Sequence, residues 1–245
     1  MIIVGLTGGI STGKSTISNK VKAKGIPVID ADRIARQIME PGEKGYNNVL
    51  QAFGREVLLP DNINVDRKKL GEIIFNNEDK RLLLNKCTHP VVRRKLFKQV
   101  LSFYIRGYPM VVLDIPLLFE GGLNRYCSKT IVVSCNEGTQ LQRLMLRDGI
   151  DHDQAIARIE SQMPISAKVK LADFVIDNNG SVENSVSQLD KIICKISPSK
   201  FKVYGALLAP IGILASTIAL FIPSRFNLAI SSLIGSATLL AISLQ

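Results

Sequence analysis

Residues 8–15 have the spacing Gly-x4-Gly-Lys-Ser, which is typical of a loop that binds the phosphates of a nucleotide. A short apolar run at residues 2–6, typical of a β-strand, precedes the loop, and a helical run at residues 15–24 follows it. Glycines at the two ends of the loop, Gly8 and Gly13, allow positive φ angles and let backbone N–H groups surround phosphate oxygens. The dipole of the following helix presents its positive end to the same anion. The alternative, a glycine-rich turn that matches by chance, does not account for the strand and helix on either side.

The loop also supplies residues that would hold ATP and its metal ion. Lys14 is placed to reach the β- and γ-phosphates, and the Ser15 hydroxyl is placed to bind Mg²⁺. These features indicate phosphoryl transfer, which depends on positioned phosphates, a metal and cations more than on covalent help. The predicted ATP-binding residues are Gly8, Gly9, Ile10, Ser11, Thr12, Gly13, Lys14, Ser15 and Thr16.

Two carboxylates come at the end of the second apolar run, residues 26–30. Ligands bind at the carboxyl ends of the strands in open α/β sheets, so Asp30 or Asp32 is in position to accept the proton of an attacking hydroxyl. The alternative is that one of them caps the helix that follows. We assign Asp32 as the base and Asp30 as a cap or an indirect support of the metal, and we treat both as candidate substrate contacts.

A third apolar run, residues 110–114, ends in Asp114. An apolar strand that ends in Asp matches the Walker B pattern, and beside a phosphate loop it predicts that Asp114 holds Mg²⁺ directly or through water. Pro116 and Glu120 follow at the same edge of the sheet and are predicted to line the substrate pocket.

Arg143 and Arg147 are one helical turn apart and share a face, and Arg158 lies on the next predicted helix. We predict that residues 137–165 form a lid that closes over ATP and brings Arg143 and Arg147 to the γ-phosphate as catalytic groups. For any single arginine, the alternative is an exposed basic helix face.

The rest of the chain alternates between β-type runs and helical stretches, which predicts an α/β fold with a five-stranded parallel sheet and helices on both faces. The interval 42–108 is too long for one crossover, and we predict a helical insertion over one edge of the nucleotide site. Further strands are predicted at 130–134 and 173–177, and further helices at 44–53, 66–75, 79–85, 89–106, 137–146, 151–161 and 182–195.

The composition limits the classes of binding partner and the cellular compartment that fit this chain. A chain of 245 residues fits one or two domains, and its net charge of +10 suits nucleotides, phosphate-rich ligands or an acidic membrane. The basic residues are scattered, so no nucleic-acid partner is predicted. The four cysteines show no Cys-x-x-Cys spacing, which argues against a zinc site or disulfides and favours a reducing compartment. The N-terminus enters the first strand directly, and we expect no secretory signal.

Two uncharged runs, residues 203–222 and 226–244, follow the last predicted helix. Each is long enough to cross a hydrocarbon core as a helix. We predict that residues 203–245 form a membrane-associated helical hairpin with lipid as its partner, attached to a kinase domain at 1–200. A buried helical pair is the alternative, and Arg225 between the runs leaves a shallow, non-crossing insertion open.

Lysines precede the first uncharged run, which predicts that the folded domain stays on the cytoplasmic side. The endoplasmic reticulum or the mitochondrial outer membrane is the expected location. The lysines are Lys191, Lys195, Lys200 and Lys202.

Several segments, in the same order along the chain, resemble the dephospho-CoA kinase family over residues 1–197. The phosphate loop alone would not name the family, but Asp-Ala-Asp at 30–32 and Pro-Leu-Leu-Phe-Glu at 116–120 are specific to it. The resembling segments are residues 4–10 with 13–16, 30–36, 88–90, 113–120, 142–147, 161–163 and 172–178.

This resemblance implies transfer of the γ-phosphate of ATP to the ribose 3′-hydroxyl of dephospho-CoA with Mg²⁺, giving CoA and ADP in the last step of coenzyme A synthesis. It also implies a fold like that of nucleoside monophosphate kinases, with the insertion as the CoA-binding domain and Asp32 as the base. His89 lies in a resembling segment and is a candidate substrate contact, although a lone histidine before a proline is more often a residue at the start of a helix than a catalyst. Ser11 and Thr12 depart from the more usual Gly-Ser of the loop, but these positions are expected to face outward. The apolar tail departs from bacterial members and resembles some eukaryotic ones.

Two other functions remain open. A kinase of the same architecture that acts on a nucleoside monophosphate would need arginines converging on the acceptor phosphate, whereas carboxylates follow the second run here. A membrane-anchored P-loop switch of the GTPase kind would carry Asn-Lys-x-Asp, which the sequence lacks. The glycines do not form Gly-x-Gly-x-x-Gly, so a dinucleotide dehydrogenase is not supported. The sequence does not predict an oligomeric state.

Overall fold

Five parallel strands run through the described part of the chain, residues 1–75 and 77–197 of a computed structural model. They form one sheet in the order β2-β3-β1-β4-β5. The runs are rich in valine and isoleucine because helices cover both faces of a parallel sheet. The predicted five-stranded parallel sheet is therefore confirmed. The strands are β1 (Ile2–Gly8), β2 (Val28–Asp30), β3 (Met110–Asp114), β4 (Lys129–Ser134) and β5 (Phe174–Asp177).

Helices pack on both faces of this sheet because successive side chains of a strand point to opposite sides. On β3, Val112 belongs to an apolar core that includes Ile17 of α1 and Leu189 of α9. Its neighbour Val111 belongs to a second core with Leu96 of α5. The α-helices of the described residues are α1 (Lys14–Ala23), α2 (Ala31–Gln37), α3 (Lys44–Phe53), α4 (Arg67–Phe75), α5 (Glu78–Ile105), α6 (Glu137–Asp148), α7 (His152–Glu160), α8 (Ile165–Leu171) and α9 (Val182–Ile196), and 3₁₀ turns lie at Arg55–Val57 and Leu123–Tyr126.

The long interval between β2 and β3 is helical and has an apolar core of its own. Val49 and Phe53 of α3 and Leu70 of α4 are buried in it, and Leu83 and Leu84 of α5 pack against them. The later part of α5 packs instead on the sheet through Leu96. This single long helix therefore connects the insertion to the sheet.

The prediction of two helices at 79–85 and 89–106 was wrong, because α5 runs unbroken from Glu78 to Ile105 with Pro90 inside it. An interior proline costs a helix about 3 kcal/mol through its missing N–H and its steric clash. Apolar contacts on both sides of Pro90 outweigh this cost, since the preceding residues pack in the insertion and the following ones on the sheet.

Other helix boundaries differ from the predicted ones in ways that affect the site. Helix α8 was not predicted, and it is short, with Pro164 at its N-terminal boundary. Helix α6 extends two residues beyond the predicted end, through Arg147 and Asp148, and stops at Gly149 with φ 63°. Glycine adopts this left-handed conformation without strain, which explains why the helix ends there.

No helix within residues 1–75 and 77–197 is both long enough and apolar enough to cross a bilayer. The predicted membrane hairpin at residues 203–245 lies outside the described residues.

Candidate active site

A cavity of about 420 Å³ opens beside the carboxyl ends of β1 and β2, where the sequence predicts the nucleotide site. Its walls come from the phosphate loop, α2, the segment after β3, and the α6–α7 region. The lining residues are Gly8, Gly9, Ile10, Ser11, Gly13, Lys14, Ser15, Asp32, Pro116, Arg143, Arg147 and Gln162.

The two glycines at the ends of the phosphate loop are required for different reasons. Gly13 has φ +91°, as predicted, and a Cβ there would lie 2.0 Å from Asn178 Nδ2. Gly8 is not among the residues with positive φ, so the prediction of a positive φ angle was wrong for this glycine. A Cβ at Gly8 would instead lie 2.6 Å from Thr12 Oγ1 and 2.7 Å from the Val133 carbonyl oxygen. Close approach of the backbone therefore demands glycine at this position.

The expectation that Ser11 and Thr12 face outward was also wrong. Thr12 is fully buried, and its hydroxyl donates to the Gly9 carbonyl at 2.9 Å. Ser11 has φ +57°, which serine rarely adopts, and its buried Oγ has no hydrogen-bond partner among the described residues. The loop therefore holds its shape through Thr12, while Ser11 carries the backbone strain.

Polar side chains from three distant segments hold the loop from outside. Gln140 Nε2 donates to the Ile10 carbonyl at 2.9 Å, and the Ile10 N–H donates to Gln162 Oε1 at 3.1 Å. Asn178 Nδ2 donates to the Thr12 carbonyl at 2.8 Å. None of these three residues was predicted to have a role, although residues 162 and 178 lie in segments that carry the family resemblance.

The lysine that was predicted to bind nucleotide phosphates contacts the aspartate that was predicted to bind the metal, and the lysine lines the cavity. Lys14 Nζ forms an ion pair with Asp114 Oδ1, and Asp114 is 5% exposed. The pair joins the start of α1 to the end of β3, which lies beside β1 in the sheet. A phosphate and a cation can each engage one member of this pair.

Asp30 and Asp32 have different environments. The Asp30 carboxylate accepts the Arg33 N–H at 3.0 Å and caps α2, so it serves the capping role that was one of its alternatives. Asp32 faces the cavity that contains Lys14. Burial raises the pKa of the Asp32 carboxyl, the charges of Asp30 and Asp114 raise it further, and Lys14 and Arg36 lower it.

Both predicted lid arginines line the cavity. Arg143 is half-buried, and its buried Nη1 has no hydrogen-bond partner within the described part of the chain. Arg147 is exposed and donates to Asp148 at 2.7 and 3.1 Å. Arg158 Nη1 contacts the same carboxylate at 2.7 Å and is not a lining residue. Two arginines can therefore reach an anion in the cavity.

Of the remaining residues predicted to contact the substrate, one lines the cavity and two do not. Pro116 lines the cavity, and its carbonyl accepts the Thr7 hydroxyl at 2.8 Å. Glu120 is not a lining residue and forms an ion pair with the buried Lys168 at 2.8 Å. His89 lies within α5 and does not line the cavity, and partial burial and Arg93 lower its pKa. Lys168 carries no recognisable sequence signal and was not predicted.

The donor groups at this cavity suit a magnesium ion bound to a nucleotide. Ser15 and Asp32 line the cavity and Asp114 lies beside it, and all three present oxygen atoms. Oxygen is the ligand that Mg²⁺ prefers, and this ion usually completes its shell with phosphates and water. Within residues 1–75 and 77–197, no cluster of three or more His, Cys, Asp or Glu residues has metal-binding geometry. The few protein oxygens present therefore fit a metal held largely by its nucleotide.

Comparison with known proteins connects this geometry to one family. A family model described as dephospho-CoA kinase matches residues 2–184. A dephospho-CoA kinase of Oceanobacillus iheyensis is 48% identical over 79% of this chain and 97% of its own, and one of Arabidopsis thaliana is 46% identical over 80% and 84%. A solved structure, dephospho-CoA kinase from Campylobacter jejuni, has 34% identity and a TM-score of 0.61, covering 80% of this chain and 96% of that one.

Proposed function

The chain belongs to the dephospho-CoA kinase family, and from that premise we propose how its own residues phosphorylate the ribose 3′-hydroxyl of dephospho-CoA. The reaction consumes ATP and yields CoA and ADP. The observation that carries the assignment of roles is the presence of Asp32 in the same cavity as a complete phosphate loop. A carboxylate there suits a hydroxyl acceptor, because it can take the proton that the hydroxyl must lose.

Asp32 is the general base in this proposal. It accepts the proton as the 3′-oxygen attacks the γ-phosphorus and the bond to the bridging oxygen of ADP breaks. Its raised pKa makes it a stronger base than an ordinary aspartate, which favours proton transfer from a weakly acidic alcohol. Asp30 supports it by starting α2, the helix on which Asp32 is placed.

Cations on two sides of the cavity stabilise the charge on the transferring phosphoryl group. Lys14 approaches from the phosphate loop, and Arg143 and Arg147 approach from α6. Backbone N–H groups from Gly8 to Thr16 complete the ATP site. Groups that are already positioned need little reorganisation as charge develops, and this is usually the largest contribution to such catalysis.

Ser15 and Asp114 are the residues that would hold Mg²⁺. When bound, the ion neutralises charge on the β- and γ-phosphates. Since Asp114 also pairs with Lys14, the same carboxylate orients the lysine toward those phosphates.

The helical insertion between β2 and β3 is proposed as the CoA-binding domain, with α6 and α7 as the lid. The insertion is built on its own apolar core and is connected to the sheet through α5, so it can present a separate surface to a long acceptor. Pro116 and His89 are the proposed acceptor contacts at and beyond the cavity. Glu120 is proposed to act from behind the cavity wall rather than by direct contact.

A coupled ADP-release assay tests the proposed function. The purified full-length chain is given ATP with dephospho-CoA, and separately ATP with each of a panel of nucleoside monophosphates. We expect ADP release to depend on dephospho-CoA, with phosphate added at the 3′-position of the product. Preferential turnover of a nucleoside monophosphate would overturn the assignment, and nucleotide hydrolysis without any acceptor would favour a nucleotide switch.

We also propose that residues 203–245 attach the kinase to the cytoplasmic face of an intracellular membrane, either the endoplasmic reticulum or the mitochondrial outer membrane. The support is the sequence: two long uncharged runs preceded by lysines. Alkaline carbonate extraction of cells expressing the full chain should leave it in the membrane pellet. A variant ending at Lys200 should move to the soluble fraction and stay active. Full extraction of the intact chain would contradict membrane integration.

A further inference from the structure

Lys168 of α8 is a charged residue without any exposed surface. Its Nζ lies 2.8 Å from Glu120 Oε1, 3.2 Å from the Pro116 carbonyl oxygen and 3.4 Å from the Gly8 carbonyl oxygen. Burial of an ammonium group is unfavourable unless its donors are matched, and here three oxygens surround it. No role is predicted for Lys168 from the sequence, and the proposed chemistry does not use it.

Two of the three partners of Lys168, Gly8 and Pro116, line the cavity and belong to different segments of the chain. Gly8 begins the phosphate loop, and Pro116 lies on the acceptor side after β3. Glu120 extends the connection, since its Oε1 also accepts the Met163 N–H at 3.2 Å. Met163 follows Gln162, which lines the cavity and receives the Ile10 N–H. The Lys168–Glu120 ion pair therefore connects the phosphate loop, the segment after β3 and the segment after α7.

We propose that the Lys168–Glu120 pair is a positioning device that fixes the distance between the bound phosphates and the acceptor hydroxyl. This inference rests on the proposed function, because it assigns the acceptor to the Pro116 side. Neither residue touches substrate. The ammonium group of Lys168 holds the Gly8 and Pro116 carbonyls within reach of one atom, and the Glu120 carboxylate connects that atom to the segment between α7 and α8. A misplacement of about 1 Å between reacting groups can reduce a rate by about a hundredfold.

Lys168→Met tests this directly, because methionine is an unbranched side chain only one atom shorter than lysine and carries no charge. The Pro116 carbonyl retains the Thr7 hydroxyl and Glu120 retains the Met163 N–H, so the fold should survive. We expect kcat to fall about tenfold or more, while the KM values for ATP and dephospho-CoA change less than about threefold. This split separates a positioning role from loss of binding.

Two control variants separate positioning from stability and from charge. Leu189→Ala removes a buried side chain of the α1–α9 core and should lower the melting temperature while kcat stays within about twofold of wild type. Lys129→Met removes the exposed ion pair with Asp173, at the start of β4, and should change neither property appreciably. A kcat of folded Lys168→Met within about twofold of wild type would overturn the inference.

Glu120→Gln decides the question if Lys168→Met does not fold. The amide oxygen can still accept from Met163 and Lys168, but the charge that balances the lysine is gone. We expect a smaller fall in kcat, about threefold to tenfold, with KM values maintained, and an unchanged kcat would overturn the inference. In the double variant, the loss should not exceed that of Lys168→Met alone, since coupled residues are not additive. Failure of the wild type to phosphorylate dephospho-CoA would refute the proposed function instead, so the two failures are distinguishable.

Discussion

The cavity has one wall that belongs to the sheet and another that belongs to the helices α6 and α7, and the two are held differently. On the sheet side, the phosphate loop is fixed by buried contacts: Thr12 is fully buried, Asn178 bonds its carbonyl, and Lys14 pairs with Asp114. On the helical side, the buried Gln140 of α6 binds the Ile10 carbonyl, but Arg147 and Arg158 share the carboxylate of Asp148 at the surface. The buried contacts join residues far apart in sequence, whereas the surface contacts are local.

This difference indicates a preorganised phosphate site beside helices α6 and α7, where the exposed cation Arg147 can exchange partners. Buried polar contacts keep their geometry because any change leaves a polar group without a partner in a medium of low dielectric constant. Exposed ion pairs contribute only about 0 to 1 kcal/mol each, so a phosphate that enters the cavity can draw Arg147 away from Asp148. The sheet wall should therefore tolerate substitution far less than the wall formed by α6 and α7, the proposed lid.

Removal of Lys14 should have the largest effect. Lys14→Ala deletes a fixed cation of the sheet wall, and loss of one such group from a preorganised site typically reduces kcat by about a hundredfold to a thousandfold. Steady-state ADP release measures the loss, and circular dichroism should show an intact fold. Activity within about tenfold of wild type would contradict the role given to the sheet wall.

Asp32→Asn should lower activity and raise stability together. Loss of a general base typically costs about a hundredfold or more in kcat, with a smaller change in the KM for ATP. Because burial raises the pKa of Asp32 in the folded state, the folded chain binds the proton more tightly than the unfolded chain does. Stability therefore falls as pH rises from the ordinary aspartate range through the raised value, and the ionised carboxylate is destabilising at neutral pH. Asparagine removes this cost, so thermal unfolding at neutral pH should occur at an equal or higher temperature.

Asp30→Asn is the matched control, because asparagine caps a helix about as well as aspartate and this residue does not line the cavity. Its kcat should fall much less than that of Asp32→Asn.

In the wild type, kcat/KM should decline as pH falls through the raised pKa of Asp32, at a higher pH than an ordinary aspartate would give. The Asp32→Asn substitution should abolish this acid limb, and an unchanged limb would demote Asp32 to a structural residue.

The parts of the site that depend on local sequence could be predicted. The phosphate loop, the strand ending in Asp114 and the two arginines one turn apart are patterns in which spacing alone determines placement. The sheet was predictable for a related reason, since buried parallel strands are short apolar runs between helices. These predictions required no knowledge of which distant residues meet.

The parts that depend on distant contacts could not be predicted. Lys168 lies in a short helix, and no neighbouring residue in the sequence indicates that it is buried. Its burial depends on contacts with Gly8 and Glu120, which are distant in sequence. The contact between Asn178 and the Thr12 carbonyl likewise joins residues that are distant in sequence, and no local pattern predicts it. Helix α5 continues through Pro90 because two separate cores hold its halves, and a local rule predicted a break.

Arg147→Ala should have a smaller effect than either change in the sheet wall. It removes a cation that is exposed and already paired, so we expect kcat to fall about tenfold, and the loss should shrink as ionic strength rises because screening weakens the wild-type contribution. Arg158→Ala is the control, since Arg158 shares Asp148 but does not line the cavity. Equal losses in the two variants would mean that the Asp148 cluster matters for lid structure rather than for contact with phosphate.

Ser11→Gly should have the smallest effect on activity and a measurable effect on stability. Serine at φ +57° carries strain of about 1 to 2 kcal/mol, and the added freedom of glycine in the unfolded chain offsets about 0.5 to 1 kcal/mol of the relief. The net gain of about 0.5 to 1 kcal/mol corresponds to a rise of about 1 to 4 °C in the melting temperature of a chain this size. Asn62→Gly is the matched control: Asn62 has φ 56°, but asparagine tolerates this conformation, so its gain should be smaller. Catalysis should stay within about twofold of wild type, because the backbone N–H groups of the loop remain in place. A large loss of kcat would instead assign the buried Ser11 hydroxyl a direct part in holding phosphate, and the sheet wall would then depend on side chains at its centre as well as on glycines at its ends.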